Sequence, residues 1–233
     1  IFKETILGFV ASIQLSANNM VKIGDWVEMR SRGADGTVID ITLNTVKVQN
    51  WDRTISTIPT YSMVTESFIN WKGMEEAGGR RIKRAVSIDM TSIKLCDSAM
   101  LNRFEKFLLI KDYVRDKEKE VREYNQKHNI SDEDTISGRR QTNVGVFRKY
   151  LETYLEQHQK VNHDLTFMVR QLHSSGKGLP IEIYAFCKDQ AWVRYEAVQA
   201  DIFDHIFAVI PEFELRVFQE PTGADITKAI SSN

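Results

Sequence analysis

The sequence predicts an α+β chain in three parts: an N-terminal amphipathic helix, a small bent β domain and a larger α/β domain. Three observations predict it. Apolar residues recur at helical spacing over residues 2–21. Short runs of β-formers bounded by turn residues fill residues 25–71, and strands alternate with helices beyond Gly79. At 233 residues there is room for one large domain or two small ones with real cores. The 42% hydrophobic and 27% charged content is that of a globular protein. A formal net charge of −1 supplies no field that gathers polyanions, which speaks against a nucleic-acid partner. Cys96 and Cys187 are too few for a disulfide framework and fit a reducing compartment.

In the first helix, Phe2, Ile6, Phe9, Val10, Ile13, Ala17 and Met20 define an apolar face. Thr5, Gly8, Ser12, Ser16 and Asn19 define a second face, small or polar, of the kind that lets helices approach closely. The helix should end near Lys22-Ile23-Gly24, where a basic residue meets a glycine. No window holds the ~18 consecutive apolar residues of a membrane-spanning helix. The chain opens at Ile1 with a helical pattern already running, and reads as a fragment whose upstream part is missing.

Strands are expected at residues 26–29, 36–42, 45–49 and 54–58, with turns at 34–36 and 50–53. Val46 and Val48 alternate with Lys47 and Gln49, so one face of that strand is buried. A sheet this small needs neighbours, either another domain or copies of itself. Trp26, Val38, Val46, Ile55, Pro59 and Phe68 are the residues expected in its core or at a subunit interface. Residues 73–79 read as a linker. The basic run 80–84 suits an anionic surface, or a solvated strand edge that discourages aggregation.

Residues 82–90 read as a strand and 98–127 as one helix capped by Ser98, with Met100, Phe104, Phe107, Leu108 and Tyr113 facing the core. A polar loop at 128–141 and a shorter helix at 144–158 follow. Strands at 165–172 and 180–187, a helix at 191–210 and a strand at 214–218 complete the chain. Without residues 128–160 the order is β-α-β-β-α-β, a ferredoxin-like half-open sandwich with a helical insertion. The domains are therefore 1–23, 24–72 and 80–220, with a short tail at 221–233.

Catalytic chemistry is not indicated. The nearest histidine pair, His158 and His163, is five apart across a predicted helix end and forms no metal-ligand pattern. Gly73, Gly78 and Gly79 precede a strand, not the helix N-terminus that a phosphate loop needs. No catalytic, metal or cofactor residue is assigned. Tyr184 and Phe186 alternate on one strand as stacking aromatics would, the mark of an RNA-binding module. The strand lacks the Gly-aromatic pattern of such modules, so both rings are expected in the core. A ligand-sensing regulatory domain is a further alternative, because the ferredoxin-like fold hosts many functions.

An ordered series of residues carries a family resemblance. It runs through Gly24-Asp25-Trp26-Val27, Gly36-Thr37-Val38-Ile39-Asp40 and Thr57-Ile58-Pro59-Thr60-Tyr61. Glu66-Ser67-Phe68-Ile69-Asn70-Trp71 and Gly78-Gly79-Arg80-Arg81-Ile82-Lys83 continue it. The chain resembles the small-conductance mechanosensitive ion channels, in their bacterial miniconductance branch. The resemblance implies a homo-oligomer, usually a heptamer, in the bacterial inner membrane. It would open under membrane tension and protect against hypo-osmotic shock. Residues 1–23 would be the lower half of the pore-lining helix, residues 24–72 an Sm-like β domain in a ring, and the remainder a cytoplasmic vestibule. Membrane lipid and permeant ions are the implied partners, with no cofactor and no nucleic acid. Thr5, Gly8, Ser12 and Ser16 would then serve helix packing in gating, and Phe9, Ile13 and Met20 would face the membrane or the helix junction. The chain departs from the family where Glu4 and Ser12 replace helix-bending glycines, which moves the expected bend to Gly8. It departs again where Ile58-Pro59-Thr60 replaces Ile-Pro-Asn.

Overall fold

Gly78-Gly79 separates two compact units, Ile1–Gly78 and Gly79–Asn233. The computed structural model describes residues 2–131, 134 and 136–221, with side chains from residue 6 onward. The Thr5 side chain, Asp132 and Glu133 of the expected polar loop, and the expected tail from 222 lie outside the described residues.

The first unit runs α1 (Phe2–Ala17), β1 (Trp26–Met29), β2 (Ala34–Ile41), β3 (Thr45–Asn50), β4 (Ile55–Pro59), α2 (Thr60–Thr65), β5 (Ile69–Asn70) and α3 (Lys72–Glu76). Its strands form one antiparallel sheet in the order β4-β3-β2-β1-β5. Side-chain alternation sends Val27, Met29, Val38, Val46, Val48 and Ile58 to one face, where they are buried with Leu15, Val21 and Met63. Val38 stands opposite Val48, and the register then shifts before Asp40, bending the sheet.

Two expectations about α1 are corrected. The helix ends at Ala17, not near Gly24, and it runs through Gly8 without interruption. Asn19 adopts the left-handed conformation (φ 49°), its N–H bonds Ser16 O (3.2 Å) and the Met20 N–H bonds Leu15 O (3.1 Å). That pair of bonds is a Schellman cap, in which asparagine takes the place usually held by glycine.

The second unit contains β6 (Arg80–Ile88), α4 (Ser98–Phe104), α5 (Lys111–Lys127), α6 (Asn143–Glu156), β7 (Met168–Gln171), β8 (Leu179–Cys187) and α7 (Trp192–Val209). The sheet order is β6-β8-β7, all antiparallel. Ile82, Val86, Ile88, Ile181, Ile183 and Ala185 pack from the sheet onto Phe104, Phe147, Leu151, Ile202, Phe203 and Ile206 from the helices. The expected last strand reduces to one bridge, Val217 opposite Ile88. That bridge still puts the chain end beside β6, as a ferredoxin-like order requires.

The single helix expected at 98–127 is two helices. Glycine and proline are absent from 105–110, so packing makes the break. Phe104 and Phe107 both close on Phe213, with ring centroids 5.3 and 5.7 Å away, and i→i−3 bonds link Phe104 to Phe107 and Phe107 to Ile110. Leu108 is left 82% exposed, against its expected core role. The cap of α4 is Asp97, whose carboxylate accepts the Met100 N–H (2.8 Å), not Ser98. Tyr184 and Phe186 are not core residues either. The odd-numbered positions of β8 fill the core, so Tyr184 and Phe186 stand half-buried on the other face of the sheet, beside the buried Glu182.

Candidate functional site

Of the residues with an expected gating role, Gly8 meets its own β unit at the seat of α1. Gly8, Ala11 and Leu15 follow one another at i, i+3 and i+7 and are the buried stripe of the helix. A Cβ at position 8 would lie 2.5 Å from Asn44 Oδ1 and 3.3 Å from the Leu43 carbonyl oxygen. The missing side chain is what lets α1 reach the β2–β3 turn. Ser12 is half-buried and spends its hydroxyl on Phe9 O within the helix (2.8 Å), while Ser16 is exposed. Ile6, Leu7, Phe9, Val10 and Ile13 remain exposed on the other side, and Ile6 and Phe9 line a shallow apolar groove with Leu43 and Asn44.

The turn that receives Gly8 is tied to the start of α2. Asn44 O accepts the Thr60 N–H (2.9 Å), and Thr60 Oγ1 donates to Thr42 O (3.3 Å). Thr60 is fully buried, so its hydroxyl is spent on the 42–45 turn. Pro59 precedes α2 at the cap position, where its lack of an N–H costs no helix bond.

A second attachment holds the exit of the helix. Asn70 Nδ2 donates to Met20 O (3.1 Å) and to Asp25 Oδ2 (2.9 Å), and the same Asp25 oxygen accepts the Lys22 N–H (2.9 Å). Gly24 (φ 95°) donates its N–H to Val38 O (2.8 Å), and the Val38 N–H returns to Asp25 O (2.9 Å). Met20 packs partly buried against the β core, away from the exposed face of α1. Sequence reasoning gave Asp25 and Asn70 no role. The available signal was two short polar residues beside Gly24 and Trp71.

Of the β-domain residues singled out, Val38 and Val46 are buried, Phe68 packs partly buried on the core, Pro59 is half-buried and Ile55 is 54% exposed on the edge strand β4. Trp26 stacks on Trp71 (centroids 4.8 Å apart) and meets Trp51 edge-on (5.2 Å). Asp35 Oδ1 accepts both the Trp26 and the Trp51 indole N–H, at 2.8 and 3.0 Å. Elsewhere on this unit, hydrogen bonds from Arg32 and then Ser31 hold the Glu66 carboxyl below its ordinary pKa.

Burial pushes the Cys96 thiol up to about 12 and raises Cys187 too, so neither is a ready thiolate. Asp201 and His205 stand one turn apart on α7, a spacing used by metal pairs, but His205 Nε2 is hydrogen-bonded with Tyr150 Oη (2.8 Å). Among the described residues no group of three or more His, Cys, Asp or Glu could hold a metal, and no helix is long and apolar enough to cross a membrane.

Comparison with known proteins bears on the first unit directly. Residues 4–73 match the family model of the mechanosensitive ion channel β-domain. Uncharacterized MscS family proteins from two Helicobacter pylori strains are 20% identical to this chain over 219 and 220 residues. Each match covers 91% of this chain, which spans only 31% of those relatives. Among solved structures, Arabidopsis thaliana MSL1 is similar with a TM-score of 0.61 at 10% identity, covering 93% of this chain and 60% of that one. Helicobacter pylori MscS in its closed state gives 0.54 at 12%, covering 94% and 64%. At these identities the structures establish a shared fold.

Proposed function

We propose that this chain, whose residues 4–73 match the family model of the mechanosensitive ion channel β-domain, forms the cytoplasmic vestibule of a tension-gated ion channel of the MscS type. One observation carries the reading. The helix α1 is fastened to the β unit through Gly8, Ala11 and Leu15 while its apolar side is left exposed. That side suits lipid or an upstream membrane segment, and the fastened side carries displacement into the sheet. Tension does work on the difference in in-plane area between two states, so it favours the wider one without any chemical step. The intact protein would relieve hypo-osmotic shock at a bacterial inner membrane, with the low conductance of the miniconductance branch.

Assembly follows from the sheet edges. Strands β4 and β5 are the two ends of the sheet order, and each exposes an isoleucine, Ile55 at 54% and Ile69 at 49%. Pairing the β4 edge of one copy with the β5 edge of the next is a head-to-tail contact that closes as a ring, a heptamer in this family. Patch recordings of the intact protein in liposomes test the function: tension-activated currents are expected, and silence up to membrane rupture would overturn it. An intact protein that runs as a monomer in mild detergent would sink the ring, and Ile55→Lys should weaken it.

A further inference from the structure

The outer face of the second unit's sheet has a composition that its core does not explain. Tyr184 and Phe186 stand two residues apart on β8, the central strand, pointing away from the helices. Their rings meet edge to face with centroids 5.8 Å apart, and both are half-buried. Lys83 lies directly opposite Tyr184 in the register and Arg81 directly opposite Phe186. Both cations are exposed, and among the described residues neither has an ion-pair partner. The Arg81 guanidinium is 5.9 Å from the centre of the Tyr184 ring. On the other flank Met168 faces Tyr184, and Arg170 faces Glu182.

Among the described strand residues of this face the one carboxylate, Glu182, is occupied. Arg170 Nε donates to Glu182 at 2.7 Å, and the Glu182 side chain is 6% exposed. Arg81 and Lys83 are therefore the uncompensated charges beside an aromatic platform. A planar ring can stack on Tyr184 with Phe186 as a wall, while an anionic group attached to that ring reaches the two cations.

We propose that the outer face of this sheet binds a nucleotide, the base stacked on Tyr184 and the phosphates held by Lys83 and Arg81. The chemistry is that of a single nucleotide more than of a strand. The facing positions of β6 are cations and small residues, so successive bases have no second platform, and the whole chain is close to neutral. Charge complementarity separates this ligand from an uncharged aromatic, and the stacking platform separates it from a bare anion. The inference is independent of the channel reading, since it concerns only the second unit.

The test is calorimetric titration of the full chain with ATP, adenosine, tripolyphosphate and a short single-stranded RNA. Saturable ATP binding is expected, roughly tenfold or more weakened by Tyr184→Leu, which keeps the apolar cover and removes the ring face. Lys83→Met, an exposed substitution that leaves folding intact, should weaken ATP several-fold and leave adenosine unchanged. The matched control Lys119→Met removes an exposed lysine on α5 whose ion pair with Glu123 is long (3.9 Å), and should change nothing. No saturable ATP binding at millimolar concentration would overturn the proposal. So would equal affinity in the wild type and Lys83→Met, or tripolyphosphate binding as tightly as ATP. RNA bound more than about tenfold tighter than ATP would replace the nucleotide with a nucleic-acid strand.

Discussion

Gly8 offers the sharpest quantitative test of how α1 is seated. In an unconstrained helix interior, Gly→Ala stabilises by about 1 kcal/mol. Here the new methyl would approach Asn44 Oδ1 to 2.5 Å and Leu43 O to 3.3 Å. The first neighbour is the end of a rotatable side chain and can yield; the second is backbone and yields only if the β2–β3 turn moves. Overpacking of this kind costs about 1–3 kcal/mol, so Gly8→Ala should fall between neutral and about 2 kcal/mol destabilising. Gly8→Leu has nowhere to place its branch and should cost about 3 kcal/mol or release the helix. Combining Gly8→Ala with Asn44→Ala removes the closer clash, so the pair should couple by about 1 kcal/mol. Trp26, Trp51 and Trp71 all lie in the first unit, so urea unfolding followed by tryptophan fluorescence in a Trp192→Phe background reads this unit alone. A Gly8→Leu midpoint equal to that of the parent, or strictly additive single substitutions, would refute the seat. In patch recordings of the intact protein, the proposed channel function expects Gly8→Leu to shift the tension threshold as well.

Other positions give independent checks. A Cβ at Gly36 would overlap the Gln49 carbonyl and crowd Asn50 Cα, both backbone, so Gly36→Ala should cost more than about 3 kcal/mol and melt the first unit selectively in the same fluorescence assay. Cys96 and Cys187 are buried with raised pKa values, so a thiol reagent near neutral pH should label neither in the native chain and both in denaturant. Hydrogen bonds from Lys94 (2.5 Å) and then Arg103 (2.6 Å) depress the Glu214 pKa. Their stabilisation is complete above the ordinary glutamate pKa and is lost as pH falls through the lowered folded value. Stability measured against pH should therefore decline more gently on the acid side for Glu214→Gln than for the parent.

The residues differ in how openly they announced these arrangements. Alternation at Val46 and Val48 and the turn after Asn50 placed β3 and β4 almost to the residue, because a half-buried strand has a rigid period, whereas the turn expected at 34–36 lies inside β2 and the chain reverses at residues 30–33 instead. The end of α1 was misplaced since Gly24 is the more familiar stop signal, whereas Asn19 achieves the same left-handed turn five residues sooner. The break between α4 and α5 was invisible because its cause is Phe213, more than a hundred residues away. Tyr184 and Phe186 looked like core residues because an aromatic on a strand does not say which face it occupies. The neighbouring Ile181, Ile183 and Ala185 decide it. At the candidate site, Gly8 is the one residue of the small face read from sequence that lies in the buried stripe among the described residues, and Ala11 and Leu15 complete that stripe. That Gly8 packs on Leu43 and Asn44 of its own chain depends on where the β2–β3 turn falls in space, which no local pattern encodes.

The eight residues between α1 and β1 have a bearing on stiffness. A connecting peptide of that length, left free, would absorb several ångströms of helix travel before drawing taut. Here Asn18, Asn19, Met20, Lys22, Gly24 and Asp25 are each pinned by a hydrogen bond, two of them through Asn70 on β5. The joint consequently behaves as a gear without backlash. A displacement imposed on α1 arrives at β1, β2 and β5 with no dead travel, and the first bond to give way under excess load would be the one whose loss introduces slack. Asn70→Ala would loosen that joint at Met20 and Asp25 together while leaving the Schellman turn in place.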